Sequence, residues 1–165
     1  MSFIFPNKNS NLNDEEFALY CINATISGNK KITSLYTSTY NDLLANSTIY
    51  IPDNIIIKEF SPFTWFCKKK DLIDMSIITF IWKNKDIKYN SKRIHNPYFN
   101  GYMFGYKDED IKQHYVNVYS YDNTIEKSLE YYEEDKHALN NSLEYCKNLI
   151  EYQQWIEKYY PEINQ

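Results

Sequence analysis

The sequence predicts an α+β fold in which a small antiparallel sheet is covered by helices. Three observations carry that reading. β-Branched and aromatic runs broken by turn residues fill roughly residues 48–89, alternating steps of four and three residues mark a helical C-terminal third, and a capped helical segment precedes both. At 165 residues the chain has the length of a single globular domain, large enough to bury a core without disulfides or metal.

The first element is a helix. Asn13 stands as N-cap with Glu16 three residues on, Asp14, Glu15 and Glu16 complement the dipole, and Gly28 marks the end near Ile26. Lys30–Tyr40 carries no decisive pattern, and Asn41–Ala45 suits one short helical turn. Thr48–Ile51 and Ile55–Phe60 then read as strands about the turn Pro52-Asp53-Asn54, followed by a third strand, Thr64–Cys67.

The most apolar run, Met75–Trp82, is expected to be a central strand buried on both faces, being rich in Ile and shorter than an ordinary helix. Lys83–Asp86 would turn it back into an edge strand, Ile87–Tyr89. The expected sheet is thus an antiparallel meander of four or five strands.

Asn90–Tyr106 reads as a loop, and Lys107–Ile111 as a helix start with acids in its first turn. Tyr115–Tyr121 suits either a continued helix or an alternating strand. Asn123 with Glu126 caps a long segment whose stripe Ile125, Leu129, Tyr132, Lys136, Leu139, Leu143, Cys146, Ile150, Gln153 has helical spacing. It reads as one amphipathic helix, or a pair broken near Glu133-Glu134-Asp135, closed by Pro161. Core packing explains the stripe; a homodimer through this helix is the other use for it.

Composition shapes what the motifs are worth. Seventeen Tyr and nine Phe against three Gly and five Pro follow the codon bias of an AT-rich genome, as in a bacterium, phage or large virus, so clustered aromatics carry less information than usual. Net charge is −4, but residues 61–120 hold +4 and residues 121–165 hold −6. MSFIFPNKNS lacks the basic start and apolar run of a secretory signal, no run reaches membrane-helix length, and Cys21, Cys67 and Cys146 form no CxxC pair. A cytoplasmic protein with reduced thiols, no cofactor, no metal and no membrane partner is expected.

Three function classes follow. The first is a small protein that binds and neutralises a partner, in the manner of an immunity protein, antitoxin or phage-encoded inhibitor of host defence. Its binding residues would be the aromatic segment Tyr98, Phe99, Tyr102, Phe104 and Tyr106, and the acidic face of residues 122–162 would suit a basic partner. The second is a phosphodiesterase or nuclease using His95 and His114 as acid and base with Asp108 and Asp110, although no spacing of a nuclease class is present and helix capping accounts for the acids. The third is a nucleic-acid-binding surface of Lys68, Lys69, Lys70, Lys88, Lys92 and Arg93 among aromatics. Cys67 reads as a small core residue rather than a nucleophile, and Gly101–Gly105 lacks the Lys-Ser/Thr of a phosphate loop.

Overall fold

The computed structural model describes residues 14–46 and 49–164, so the Asn13 cap and Thr48 lie outside the described residues. The order is α1 (Asp14–Ser27), β1 (Ile32–Tyr36), α2 (Thr37–Asn46), β2 (Ile55–Phe60), β3 (Phe63–Lys68), α3 (Leu72–Lys83), β4 (Lys88–Tyr89), β5 (Lys92–Arg93), α4 (Pro97–Met103), α5 (Asp108–Tyr119), α6 (Ile125–Lys147) and α7 (Ile150–Tyr159). The fold is α+β, with helix dominating. These elements divide into two compact units: a sheet unit up to Leu72 that also takes in residues 103–105, and a helical unit from Ile73 onward without them.

In the sheet unit the strands run β1-β3-β2, antiparallel, with Ser34 opposite Trp65 and Ile57 opposite Phe66. The central strand buried throughout is β3, from Phe63 to Cys67. The indecisive stretch 30–40 supplies β1 and opens α2, and Ile49–Ile51 forms no strand. Ala18 and Ile22 of α1 and Leu43 of α2 close over Leu35, Ile55 and Phe66. Gly28 ends α1 with φ +91°, and the N–H of Asn29 reaches back to the Ala24 carbonyl at 2.8 Å. Thr25 and Thr33 hydroxyls bond each other and the Cys21 carbonyl, tying helix to strand.

The main correction is α3. Met75–Trp82 is helical, so among the described residues the sheet has three strands and not the four or five of a meander; a separate two-stranded hairpin, β4–β5, follows. Leu72 and Ile73 extend the apolar run to a full 12-residue helix, with Asp74 in its first turn and Lys83 in its last. Every residue from Met75 to Trp82 is buried, and a helix apolar on all sides has no period to read. Its two hydroxyls are satisfied within the helical unit: Ser76 bonds the Ile73 carbonyl at 2.7 Å and Tyr152 Oη at 2.7 Å, and Thr79 bonds the Met75 carbonyl at 2.9 Å and Tyr160 Oη at 2.8 Å. Phe80 lies edge-on to Tyr152 at 5.6 Å and beside Trp155 at 6.3 Å.

The turn of the hairpin is Asn90-Ser91, both with positive φ, rather than Lys83–Asp86. The expected loop 90–106 contains β5 and α4, because Asn96 caps α4 by accepting from the Phe99 N–H at 2.9 Å and Pro97 opens it. Tyr115–Tyr119 continues α5. The C-terminal segment is two helices, broken at Asn148-Leu149 and not at Glu133–Asp135, and Thr124 rather than Asn123 is the cap, accepting from the Lys127 N–H at 3.1 Å. The inward stripe of α6 is Ser128, Tyr132, Asp135, Leu139, Ser142 and Cys146: the expected spacing, shifted so that small serines and a carboxylate face in.

Candidate functional site

In the helical unit the side chains with chemistry gather where α4, α5 and α6 meet. Pro97 starts α4 so that Tyr98 points inward, and the first turn of α5 sets Asp108 beside it. Tyr98 donates to Asp108 Oδ1 at 2.9 Å, Tyr132 donates to Oδ2 at 2.6 Å, and Lys136 Nζ stands 3.3 Å from Oδ1. One turn further along α6 and two along α5, Tyr115 donates to Asp135 Oδ2 at 2.5 Å. The rings form a continuous row: Tyr98–Tyr132 at 5.8 Å, Tyr132–Tyr115 at 5.9 Å, Tyr115–Tyr119 at 5.4 Å and Tyr119–Tyr131 at 5.4 Å. Lys112 and Lys136 lie over the ring of Tyr132, and Lys127 over that of Tyr131.

The two carboxylates differ. Partial burial raises the Asp108 pKa, but hydrogen bonds from Tyr132, Tyr98 and Lys136 outweigh it and leave it below the usual carboxylate range. Asp135 is more deeply placed. Burial raises its pKa more than Tyr115 and Lys92 lower it, so it stays above that range. The phenols of Tyr98, Tyr115 and Tyr132 are pushed up, first by burial and then by their carboxylate partners, so they are neutral donors at physiological pH.

These shifts have opposite signs in stability. Asp108, depressed when folded, stabilises the fold above its unfolded pKa and loses that contribution as pH falls through its folded pKa. Asp135, raised when folded, stabilises below its unfolded pKa and loses that as pH rises through its folded pKa. Asp108→Asn is therefore expected to cost more stability at pH 7 than at pH 3, whereas Asp135→Asn costs less at pH 7 than at pH 3. Urea midpoints at the two pH values check this; parallel losses for both variants at both pH values would contradict it.

Of the catalytic candidates, Asp108 thus joins this network, and its partners there are Tyr98, Tyr132 and Lys136 rather than a histidine. His95 precedes α4, its ring tilted against that of Phe99 at 5.0 Å, its pKa lowered by burial and by Lys85 and Arg93. His114 is buried on α5, one turn beyond buried Asp110 on the same face, and burial lowers its pKa too. Among the described residues no group of three His, Cys, Asp or Glu is placed to hold a metal ion.

The aromatic segment is divided by α4. Tyr98 and Phe99 are buried, which leaves Tyr102, Phe104 and Tyr106 half-exposed. In the sheet unit Met103–Gly105 lies against β1 and β3: Ser34 donates to the Met103 carbonyl at 3.1 Å, Lys30 to the Phe104 carbonyl at 3.3 Å, and Phe104 packs on Phe63 at 5.9 Å. Of the basic residues, Lys68 ends β3 and Lys69 and Lys70 form a 3-10 turn after it, while Lys88, Lys92 and Arg93 belong to the hairpin, where Lys92 pairs with Glu134 and Arg93 with Asp86. Trp65 and Phe66 are buried, so neither offers a stacking face.

Sequence reading missed the turn between α5 and α6. Ser120, Tyr121, Asp122, Asn123, Thr124 and Lys127 line an open depression of about 630 Å³ there. Tyr121 is 91% exposed and Ile125 59% exposed. From this tip the outer side of α6, opposite the buried stripe, presents Glu126, Glu130, Glu133, His137, Asn140 and Glu144, all exposed. The signal was present as Ile125 heading an apolar stripe, but in the wrong register, which buried it on paper.

Among the described residues no helix is long and apolar enough to cross a membrane. None of the protein-family models, curated proteins or solved structures compared with the chain matches it.

Proposed function

We propose that the protein works by binding another protein of basic surface and neutralising it, as immunity proteins and phage-encoded inhibitors do. The observation that carries this reading is the α5–α6 tip: a fully displayed tyrosine and an isoleucine beside a row of outward carboxylates. A water-exposed aromatic next to an aliphatic is the kind of anchor that fills a partner's pocket, and the carboxylates steer a cationic surface toward it. Within α6, Lys127 and Lys147 pair with Glu130 and Glu144 at i,i+3, exposed contacts worth little that a partner's arginines would displace.

Bait capture from the cells that make the protein tests this. The wild-type chain is expected to retain one basic protein, and both Tyr121→Ala/Ile125→Ser and Glu126→Lys/Glu130→Lys/Glu133→Lys to lose it, with helix content unchanged by circular dichroism. Equal retention by the three baits would remove the tip from the interface. Retention lost instead with Tyr102→Ala/Phe104→Ala would return it to the aromatic segment.

A further inference from the structure

Tyrosine is abundant here for reasons of composition, but abundance does not align rings or point buried phenols at carboxylates. We infer that the row Tyr131–Tyr119–Tyr115, with Asp135 at its inner end, is a one-electron relay that draws an oxidising equivalent from the surface to Tyr115. Three features of the geometry support this direction. The rings follow one another at 5.4 Å from half-exposed Tyr131 through half-exposed Tyr119 to fully buried Tyr115. Tyr115 Oη donates to Asp135 Oδ2 at 2.5 Å, so the phenol has a base in place to take its proton as the electron leaves. Ammonium groups lie over Tyr131 and over Tyr132, the ring beyond Tyr115, and make electron loss harder at both; no such contact is found at Tyr115 or Tyr119 among the described residues.

The step balances as follows. A one-electron oxidant of the high-valent-metal or peroxide-derived radical class at the surface accepts one electron, passed outward from Tyr115 through Tyr119 and Tyr131. The Tyr115 O–H bond breaks, its proton joins the Asp135 carboxylate, and the products are a neutral Tyr115 phenoxyl radical, a neutral Asp135 carboxylic acid and the reduced oxidant. Lys92 is held by Glu134 and acts on Asp135 only from a distance, while burial keeps Asp135 the better proton acceptor of the two network carboxylates. An electron from an external reductant and the proton returning from Asp135 restore the phenol.

Flash oxidation of the full chain with photogenerated tris(bipyridine)ruthenium(III), persulfate being the sacrificial acceptor, tests the relay by electron paramagnetic resonance. The wild type is expected to give a long-lived tyrosyl signal that Tyr115→Phe abolishes. Tyr119→Phe, which leaves the Tyr115–Asp135 bond intact, should slow its appearance. Heavy water is expected to slow the wild-type signal, because the Tyr115 proton moves with the electron, and Asp135→Asn should remove that slowing and shorten the lifetime of the signal. Circular dichroism checks that each variant folds, and the Tyr119→Phe result decides the matter if Tyr115→Phe does not. A long-lived signal unchanged in the variants at 115 and 119, or one lost only on Tyr121→Phe, would overturn the proposal.

Discussion

Phe80→Ala is expected to destabilise the helical unit by about 3–5 kcal/mol, the largest single loss from a core substitution considered for this chain. The ring is 1% exposed, within the stretch Met75–Trp82 that is buried at every residue, and it touches Tyr152 and Trp155. Removing it leaves a cavity whose walls cannot simply close in. Ser76 and Thr79, four residues and one residue before it in α3, hold Tyr152 and Tyr160 by hydroxyl–hydroxyl bonds, which fix the C-terminal helix at its present distance. Urea unfolding followed by tryptophan fluorescence would show the midpoint falling with little change in slope. A loss under 1 kcal/mol would mean that Phe80 is not at the centre of a packed core.

Gly105→Ala is expected to cost about 1–2 kcal/mol from backbone strain alone, because Gly105 has φ +79°, a conformation that an L side chain resists. Steric conflict adds to it: a Cβ there would lie 1.9 Å from Lys30 Cε. The lysine would have to leave, giving up the Phe104 carbonyl and its contact with the Cys21 thiol. Burial has already lowered the Lys30 pKa against the opposing pull of Cys21, so this ammonium depends on the few partners it has. Gly105→Ala/Lys30→Ala is expected to recover the steric part and leave the strain, which a double-mutant cycle of urea midpoints measures. Strict additivity of the two changes would contradict the packing of Lys30 over Gly105.

The elements with local chemistry were legible in the sequence: α1 with its glycine stop, the strands Ile55–Phe60 and Phe63–Lys68 after the turn Pro52-Asp53-Asn54, and the acid-rich start of α5. The failures share a cause. Met75–Trp82 shows no period because every side of α3 is buried, so length and β-branching stood in for pattern and pointed to a strand. The register of α6 was misread because apolar side chains were taken to face inward, whereas Ser128, Asp135 and Ser142 do, and Ile125 does not. That error also hid the candidate site, since an isoleucine assigned to the core is not sought on a surface. Asp108 was seen, but its partners Tyr98 and Tyr132 are 10 and 24 residues away, contacts that no local pattern encodes.

The central claim is that the tip of α5 and α6, with the acidic outer side of α6, is where a basic protein docks. Hydrogen exchange of the chain, alone and bound to the basic protein it captures, tests this most directly. The claim predicts added protection over residues 120–134 and an association rate that falls steeply as salt is raised. Protection confined to residues 98–106 or to Lys68–Lys70, with 120–134 exchanging as in the free chain, would contradict it.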